Sequence, residues 1–161
     1  MRAMTVYTQM DSPVGRLLIA AEVESLCLIE FEHPRHPVQR GADWQPGENA
    51  FLRETRRQLV AYFGGRLKDF DLSLSPRGTE FQERVWQALR AVPFGVTRSY
   101  LEIARSIGHP RATRAVGAAN GRNPIPIIVP CHRVVGTSGS LTGYGGGLEI
   151  KRFLLRLEGA R

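Results

Sequence analysis

Residues 99–120 read SYLEIARSIGHPRATRAVGAAN, and this stretch decides how the second half of the chain is built. Ser99 is placed to cap a helix, because a serine oxygen at that position accepts from an N–H group that the first turn leaves unpaired. A short helix from Tyr100 to Ile107 is expected, Gly108-His109-Pro110 interrupts it, and a further helical segment runs from Arg111 to about Asn120. Helix, tight turn, helix is an arrangement that sets one helix into the major groove of DNA. Small residues line the second of these helices, Ala115-Val116-Gly117-Ala118-Ala119. They allow close approach to a groove, and tight packing in a bundle explains them equally well.

Upstream of this motif, Thr79 is a plausible N-cap for a helix whose apolar stripe is Phe81, Val85, Leu89 and Val92, widened by Trp86 and ended before Pro93 and Gly95. Downstream, Asn123-Pro124-Ile125-Pro126-Ile127-Ile128-Val129-Pro130 cannot form a regular helix, because its three prolines remove donors and clash with the preceding turn. An extended, stiff segment is expected there, delivering Cys131. Gly143, Gly145, Gly146 and Gly147 bracket a loop around Tyr144, and a last helix runs from Leu148 to Glu158 with Ile150, Phe153, Leu154 and Leu157 facing the core.

The first half begins as sheet. Residues 4–32 alternate apolar and polar positions around Ser12-Pro13-Val14-Gly15, which predicts a hairpin and then a strand at Ser25–Phe31. His33 to Gly47, rich in Pro, Gly and His, is read as a loop. Phe51, Leu52, Thr55, Leu59, Tyr62 and Phe63 then recur at helical spacing until Gly64-Gly65. Phe70 to Gly78 loses that period and contains Pro76, so it is a linker or a last strand. The expected domains are 1–76, a small α/β unit, and 77–161.

Charge divides along the same line. Residues 1–76 carry 9 basic and 10 acidic side chains, and residues 77–161 carry 13 and 5, so a total of +7 is made of −1 and +8. A basic half is the electrostatic footprint of a polyanion partner. The chain has 161 residues, 42% of them apolar, enough for a real core. It holds no apolar run of membrane-spanning length, and Met1 to Met10 lacks the blocks of a signal peptide, so the expected compartment is the cytoplasm and no membrane is involved.

The two cysteines, Cys27 and Cys131, do not make a disulfide framework, and both are read as thiols. Cys27 sits among Leu26, Leu28 and Ile29, where a small buried hydrophobe is expected. Cys131 sits in Pro130-Cys131-His132-Arg133. A free thiol has a pKa of about 8.5, so a cysteine nucleophile needs a base or a positive field. His132 and Arg133 adjoin Cys131, and Glu158 in the last helix is positioned in sequence to orient the imidazole. That is the nucleophile–base–orienter logic of acyl and alkyl transfer alike. A hydrolase built on it would also need an oxyanion hole, for which Gly143 to Gly147 are candidates.

Val129-Pro130-Cys131-His132-Arg133-Val134-Val135 resembles the active-site motif of the O6-alkylguanine-DNA alkyltransferases, also called methylated-DNA–protein-cysteine methyltransferases. The likeness extends through Gly78-Thr79-Glu80-Phe81-Gln82, Val85-Trp86, Ser99-Tyr100, Arg114-Ala115-Val116-Gly117, Asn123-Pro124, Tyr144-Gly145-Gly146-Gly147 and Leu157-Glu158-Gly159. It implies a ribonuclease-H-like N-terminal α/β domain and a mostly helical, winged helix-turn-helix-like C-terminal domain. It also implies irreversible transfer of one alkyl group per protein molecule to Cys131. His132 would act through water as the base and Glu158 would hold it. Asn123 would tie the recognition helix to the active-site segment, Arg114 on that helix, beside Ala115, would fill the space of the flipped nucleotide, and Tyr100 would crowd the phosphate and meet the purine. The carbonyls of Cys131 and Val134 would read the guanine amino group, Tyr144 and Gly145 would cover the base, and Arg133 would join the DNA-binding surface.

The partner implied is double-stranded DNA carrying O6-alkylguanine, with O4-alkylthymine as the alternative lesion, bound by a monomer capable of cooperativity on DNA. No cofactor is implied. Some members of the family hold a structural zinc in the N-terminal domain, but Cys27, His33 and His36 do not make a recognised ligand spacing, so no metal is expected. Alkyltransferase-like proteins that bind DNA without chemistry lack the reactive cysteine, and Cys131 argues against that reading here.

Overall fold

Alternation of apolar and polar side chains makes Thr5 to Phe31 an antiparallel meander. Strands β1 (Thr5–Met10), β2 (Leu17–Glu22) and β3 (Ser25–Phe31) pair in sequence order, with Met10 opposite Leu17. The turn between the first two closes through the Gly15 N–H donating to the Ser12 carbonyl at 3.1 Å, with Gly15 at φ 101°, a backbone conformation that suits glycine. This is a computed structural model, and it describes residues 4–141 and 144–160. Gly143, read above as part of the loop around Tyr144, lies outside the described residues, as do Met1 to Ala3 of the N-terminal stretch. The chain divides into two compact units, Met1–Pro76 and Arg77–Arg161.

In the first unit the stretch from His33 to Gly47, expected to be loop throughout, contains a strand, β4 (Trp44–Pro46), parallel to β1. The sheet order is therefore β3-β2-β1-β4. Three residues are too few to show a period. Pro46, which has no N–H to donate, is tolerated because β4 is an edge strand. Helix α1 (Ala50–Phe63) starts at Asn49, whose side chain accepts from the Leu52 N–H, and buries Leu52, Leu59 and Tyr62. The stretch after it pairs with the start of β3: Leu74 bridges Leu26 in parallel, with the Leu26 N–H donating to the Ser73 carbonyl at 2.9 Å and the Ser75 N–H donating to the Leu26 carbonyl at 2.8 Å.

The second unit is mostly helical. Helix α2 (Glu80–Arg90) begins with reciprocal caps, in which the Thr79 side chain accepts from the Gln82 N–H and the Gln82 side chain accepts from the Thr79 N–H. Ser99 and Glu102 repeat that arrangement at the start of α3 (Tyr100–Ser106). Helix α4 spans Thr113–Gly121, beginning two residues later than expected, because Gly108 to Ala112 form the turn that the Ala112 N–H closes onto the His109 carbonyl at 2.9 Å. The buried Trp86 indole N–H donates to the Ala119 carbonyl at 2.8 Å and ties α2 to α4. A Cβ at Gly78 would lie 2.4 Å from the Trp86 ring, so only glycine lets that ring close over the start of α2.

The segment from Asn123 to Pro130 is folded rather than extended. The Val129 N–H donates to the Ile125 carbonyl at 2.9 Å around Ile127, which has φ 76°. The prolines do forbid a helix, but a single turn needs only the Val129 donor, and it buries Ile125, Ile127 and Val129. Cys131–Arg133 then form one 3-10 turn leading into β6 (Val134–Val135), which pairs in parallel with β5 (Arg98–Ser99). Helix α5 (Leu148–Leu157) is rotated from the expected stripe: its buried residues are Lys151, Leu154 and Leu155, while Ile150, Phe153 and Leu157 are half-buried. Among the described residues no helix is long and apolar enough to cross a membrane.

Candidate active site

Pro130 ends the buried turn, and the short 3-10 turn after it sets Cys131, His132 and Arg133 on successive sides of one tight coil, all three buried. Cys131 is only 4% exposed. Helix α5 supplies the rest of the site from its C-terminal end. Glu158, buried at the C-cap, places Oε2 2.7 Å from His132 Nε2. The same carboxylate takes two bonds from Arg133, Nε to Oε1 at 2.8 Å and Nη2 to Oε2 at 3.0 Å, and the third guanidinium arm donates to the Val92 carbonyl at 2.6 Å. The Gly95 N–H approaches Oε1 at 3.5 Å. Gly95 sits at φ 80°, and a Cβ there would meet the Glu158 carbonyl at 3.2 Å, so the site presses against glycine backbone.

This geometry fixes the imidazole. A carboxylate that already accepts from a guanidinium fork is ionised and offers only acceptors, so His132 Nε2 carries the hydrogen and Nδ1 presents its lone pair. The tautomer follows from the network of partners. Nδ1 is buried and has no hydrogen-bond partner among the described residues, which marks it as the atom open to a proton or to a bridging water. Burial lowers the His132 pKa, opposed by its bond to Glu158, while the charges of Arg133 and Lys151 lower it further. The ring is therefore a neutral acceptor near neutral pH.

The Cys131 thiol is pushed up by burial, and the hydrogen bonds from Asn123 and Tyr144 together with the charge of Lys151 act the other way. A thiol held up in this manner is protonated at rest and reacts only when a base removes its proton. Asn123 also braces the turn before the cysteine, its side-chain N–H donating to the Val129 carbonyl at 2.8 Å while its oxygen accepts from the Ile125 N–H at 3.0 Å.

Of the residues singled out in the sequence, Cys131, His132, Glu158, Asn123, Tyr144 and Arg133 come together. Arg133, expected on the DNA-binding surface, is corrected: its guanidinium is buried on Glu158 and the Val92 carbonyl and is turned away from solvent. Arg114 and Ala115 are exposed on the first turn of α4, and Tyr100 opens α3, half-buried, with its ring facing Gly117 across the two helices. Val134 is buried, and its carbonyl accepts from Lys151 Nζ at 2.7 Å. Gly145 lies half-buried beside the Gly121 carbonyl at the end of α4.

Two residues escaped the sequence reading. Asn120 donates from its side chain to the Cys131 carbonyl at 3.3 Å, so that carbonyl already has a donor. Lys151 is wholly buried, and burial pushes its ammonium down to about 8, opposed by the charge of Cys131. A signal existed for Lys151: it stands seven residues before Glu158, and residues seven apart share one face of a helix. Among the described residues no group of three or more His, Cys, Asp and Glu side chains is placed to hold a metal ion.

Residues 5–76 match the family model described as 6-O-methylguanine DNA methyltransferase, ribonuclease-like domain, and residues 80–160 match that described as 6-O-methylguanine DNA methyltransferase, DNA binding domain. The methylated-DNA–protein-cysteine methyltransferase of Methanosarcina acetivorans is 53% identical over 154 residues, 96% of this chain and 98% of the relative. The protein of that name from Mycobacterium tuberculosis is 52% identical over 158 residues, 98% of this chain and 94% of the relative. Among solved structures, Mycobacterium tuberculosis OGT in complex with DNA is similar with a TM-score of 0.89 at 51% identity, covering 96% of this chain and 92% of that one.

Proposed function

The chain belongs to the 6-O-methylguanine DNA methyltransferase family, and we propose that it repairs DNA by moving the alkyl group of O6-alkylguanine onto its own Cys131, one group per molecule. The observation that carries this reading is the enclosed sequence of groups Cys131, His132 and Glu158, with His132 Nδ1 free of any partner among the described residues. His132 Nδ1 takes the thiol proton through a water molecule, and Glu158 balances the imidazolium that forms. The thiolate attacks the alkyl carbon. A carbon–sulfur bond forms as the carbon–oxygen bond breaks, and guanine leaves with the electron pair on O6 and regains a proton. A thioether is a poor leaving group, so the cysteine is not regenerated.

A thiol this deeply buried cannot reach a base stacked inside a duplex, so the nucleotide must be extruded toward it. Arg114 and Ala115, exposed at the start of α4, are the groups we assign to the DNA side, Arg114 occupying the gap in the stack. Tyr100 crowds the phosphate and meets the base. The +8 half supplies phosphate contacts and counterion release that offset the unstacking cost of a few kcal/mol. The Val134 carbonyl, which accepts from Lys151, keeps a lone pair for the guanine amino group, whereas the Cys131 carbonyl, which accepts from the Asn120 side chain and the Val134 N–H, must give up one of these donors to read it. Tyr144 and Gly145 close over the base. We assign the working form to a cytoplasmic monomer acting on duplex DNA without metal or cofactor.

The test is stoichiometry on a duplex containing one O6-methylguanine. The reading expects repair to stop at one lesion per protein molecule, with no added metal or nucleotide. Repeated turnover contradicts it and favours a hydrolytic use of the same three groups.

A further inference from the structure

Four ionisable side chains meet where α5 faces the turn that carries the cysteine. Around His132 these are Lys151 from α5, Glu158 from its C-cap, and Cys131 and Arg133 from the turn itself, while the segment just after α2 contributes the Val92 carbonyl. Arg133 is the one whose position the alkyl-transfer chemistry does not by itself require. Its contacts point inward: both Glu158 oxygens, the Val92 carbonyl and the Phe94 ring, whose centroid lies 5.8 Å from the guanidinium carbon.

We propose that Arg133 is a positioning residue of the transfer reaction, its guanidinium clamping Glu158 in the one orientation and charge state that leaves His132 a neutral base with Nδ1 open to accept a proton. The inference rests on the reading of Cys131 as alkyl acceptor and His132 as base. Its physics is a balance of charges. A lone carboxylate 2.7 Å from an imidazole in a buried site would favour the imidazolium, which has no lone pair to accept a proton. The guanidinium, bonded to both oxygens of that carboxylate, offsets part of its field at the ring, adding to the effect of burial, while leaving Oε2 to accept from Nε2–H. Its third arm on the Val92 carbonyl fixes the fork to the segment that follows α2, so Glu158 cannot rotate away. A lysine would carry the charge without the fork.

The experiment is the pH dependence of single-turnover alkyl transfer at saturating alkylated duplex, comparing wild type with Arg133→Gln and Arg133→Lys, with melting temperature and DNA affinity recorded for each. Losing the charge raises the pH below which His132 is protonated. Arg133→Gln is therefore expected to move the acid limb of the profile up by about one pH unit, so that the loss grows toward about tenfold at the acid end of the profile and is less than about twofold at pH 8. Arg133→Lys is expected to keep the limb in place with a lower plateau, and neither variant should change DNA affinity. Equal losses at both ends of the profile in Arg133→Gln would mean a merely structural arginine, and a weakened DNA affinity with an unmoved limb would return Arg133 to the DNA surface; either overturns the clamp. Should Arg133→Gln not fold, nitrogen NMR of the wild-type His132 ring decides: a neutral Nε2–H tautomer at pH 6 supports the clamp, and an imidazolium or Nδ1–H tautomer there overturns it. No transfer to Cys131 in wild type at any pH overturns the proposed function instead.

Discussion

Among the described residues, the buried polar side chains of residues 1–76 are Thr5, Thr55 and Gln58, all neutral, whereas residues 77–161 bury His132, Arg133, Lys151 and Glu158 along with Ser99 and Asn120. The two thiols follow the same division. Cys27 is half-buried against Leu18, Ala20 and Leu28 and hydrogen-bonds the Ala20 carbonyl at 3.4 Å, while Cys131 is enclosed among ionisable groups. Burying a charge costs several kcal/mol, and even a well-made buried ion pair is weak support for stability. The first unit is thus organised for folding, and the second sets ionisable groups where apolar side chains would hold the fold at lower cost. Perturbed, mutually facing ionisable groups of this kind mark functional sites.

Substitutions can break or sharpen that contrast. The largest effect is expected at the relay: His132→Ala or Glu158→Gln slows transfer by roughly 100-fold or more, the usual contribution of general acid–base assistance. Rates must be read beside melting temperature, since Glu158 also anchors Arg133. Folded variants of both that transfer at the wild-type rate would remove the relay.

Arg114→Ala comes next. It should slow repair of duplex DNA about 30-fold, equivalent to about 2 kcal/mol of lost support for the extruded nucleotide, yet leave reaction with free O6-benzylguanine nearly unchanged. Equal losses on both substrates would put Arg114 to work in the site rather than on the DNA.

The smallest effect separates the two units most directly. Lys151→Met removes a buried charge with similar volume, so it should lower transfer about tenfold through the thiolate it no longer stabilises, while melting temperature holds or rises. Leu59→Ala in the first unit should do the reverse, costing about 2–5 kcal/mol of stability with the transfer rate intact. If Lys151→Met destabilises as much as Leu59→Ala and transfers normally, the buried lysine is structural.

Local chemistry made much of this legible. Thr79 and Ser99 announce their helices because a cap depends on neighbours three residues away, and the hairpin at Ser12 to Gly15 and strand Ser25–Phe31 are local in the same sense. Three features were hidden because distant partners create them. Strand β4 exists only by pairing with β1, which lies some forty residues earlier. The turn at Ile127 forms because the core takes its apolar side chains, whereas proline content alone suggested an extended run. The inward face of α5 is set by Glu158 and Val134 accepting charge, so a stripe drawn from apolar residues alone missed Lys151. Arg133 was misread for the same reason, since its carboxylate partner stands 25 residues away.

Peptide-level mass spectrometry after incubation with a methylated duplex tests the central claim most directly, performed on wild type and on Cys131→Ala. One methyl mass should appear on the peptide carrying Cys131 and none on the peptide carrying Cys27, and Cys131→Ala should bind the DNA but acquire no methyl group. Methylation at Cys27, or removal of the lesion with Cys131 unmodified, would contradict it.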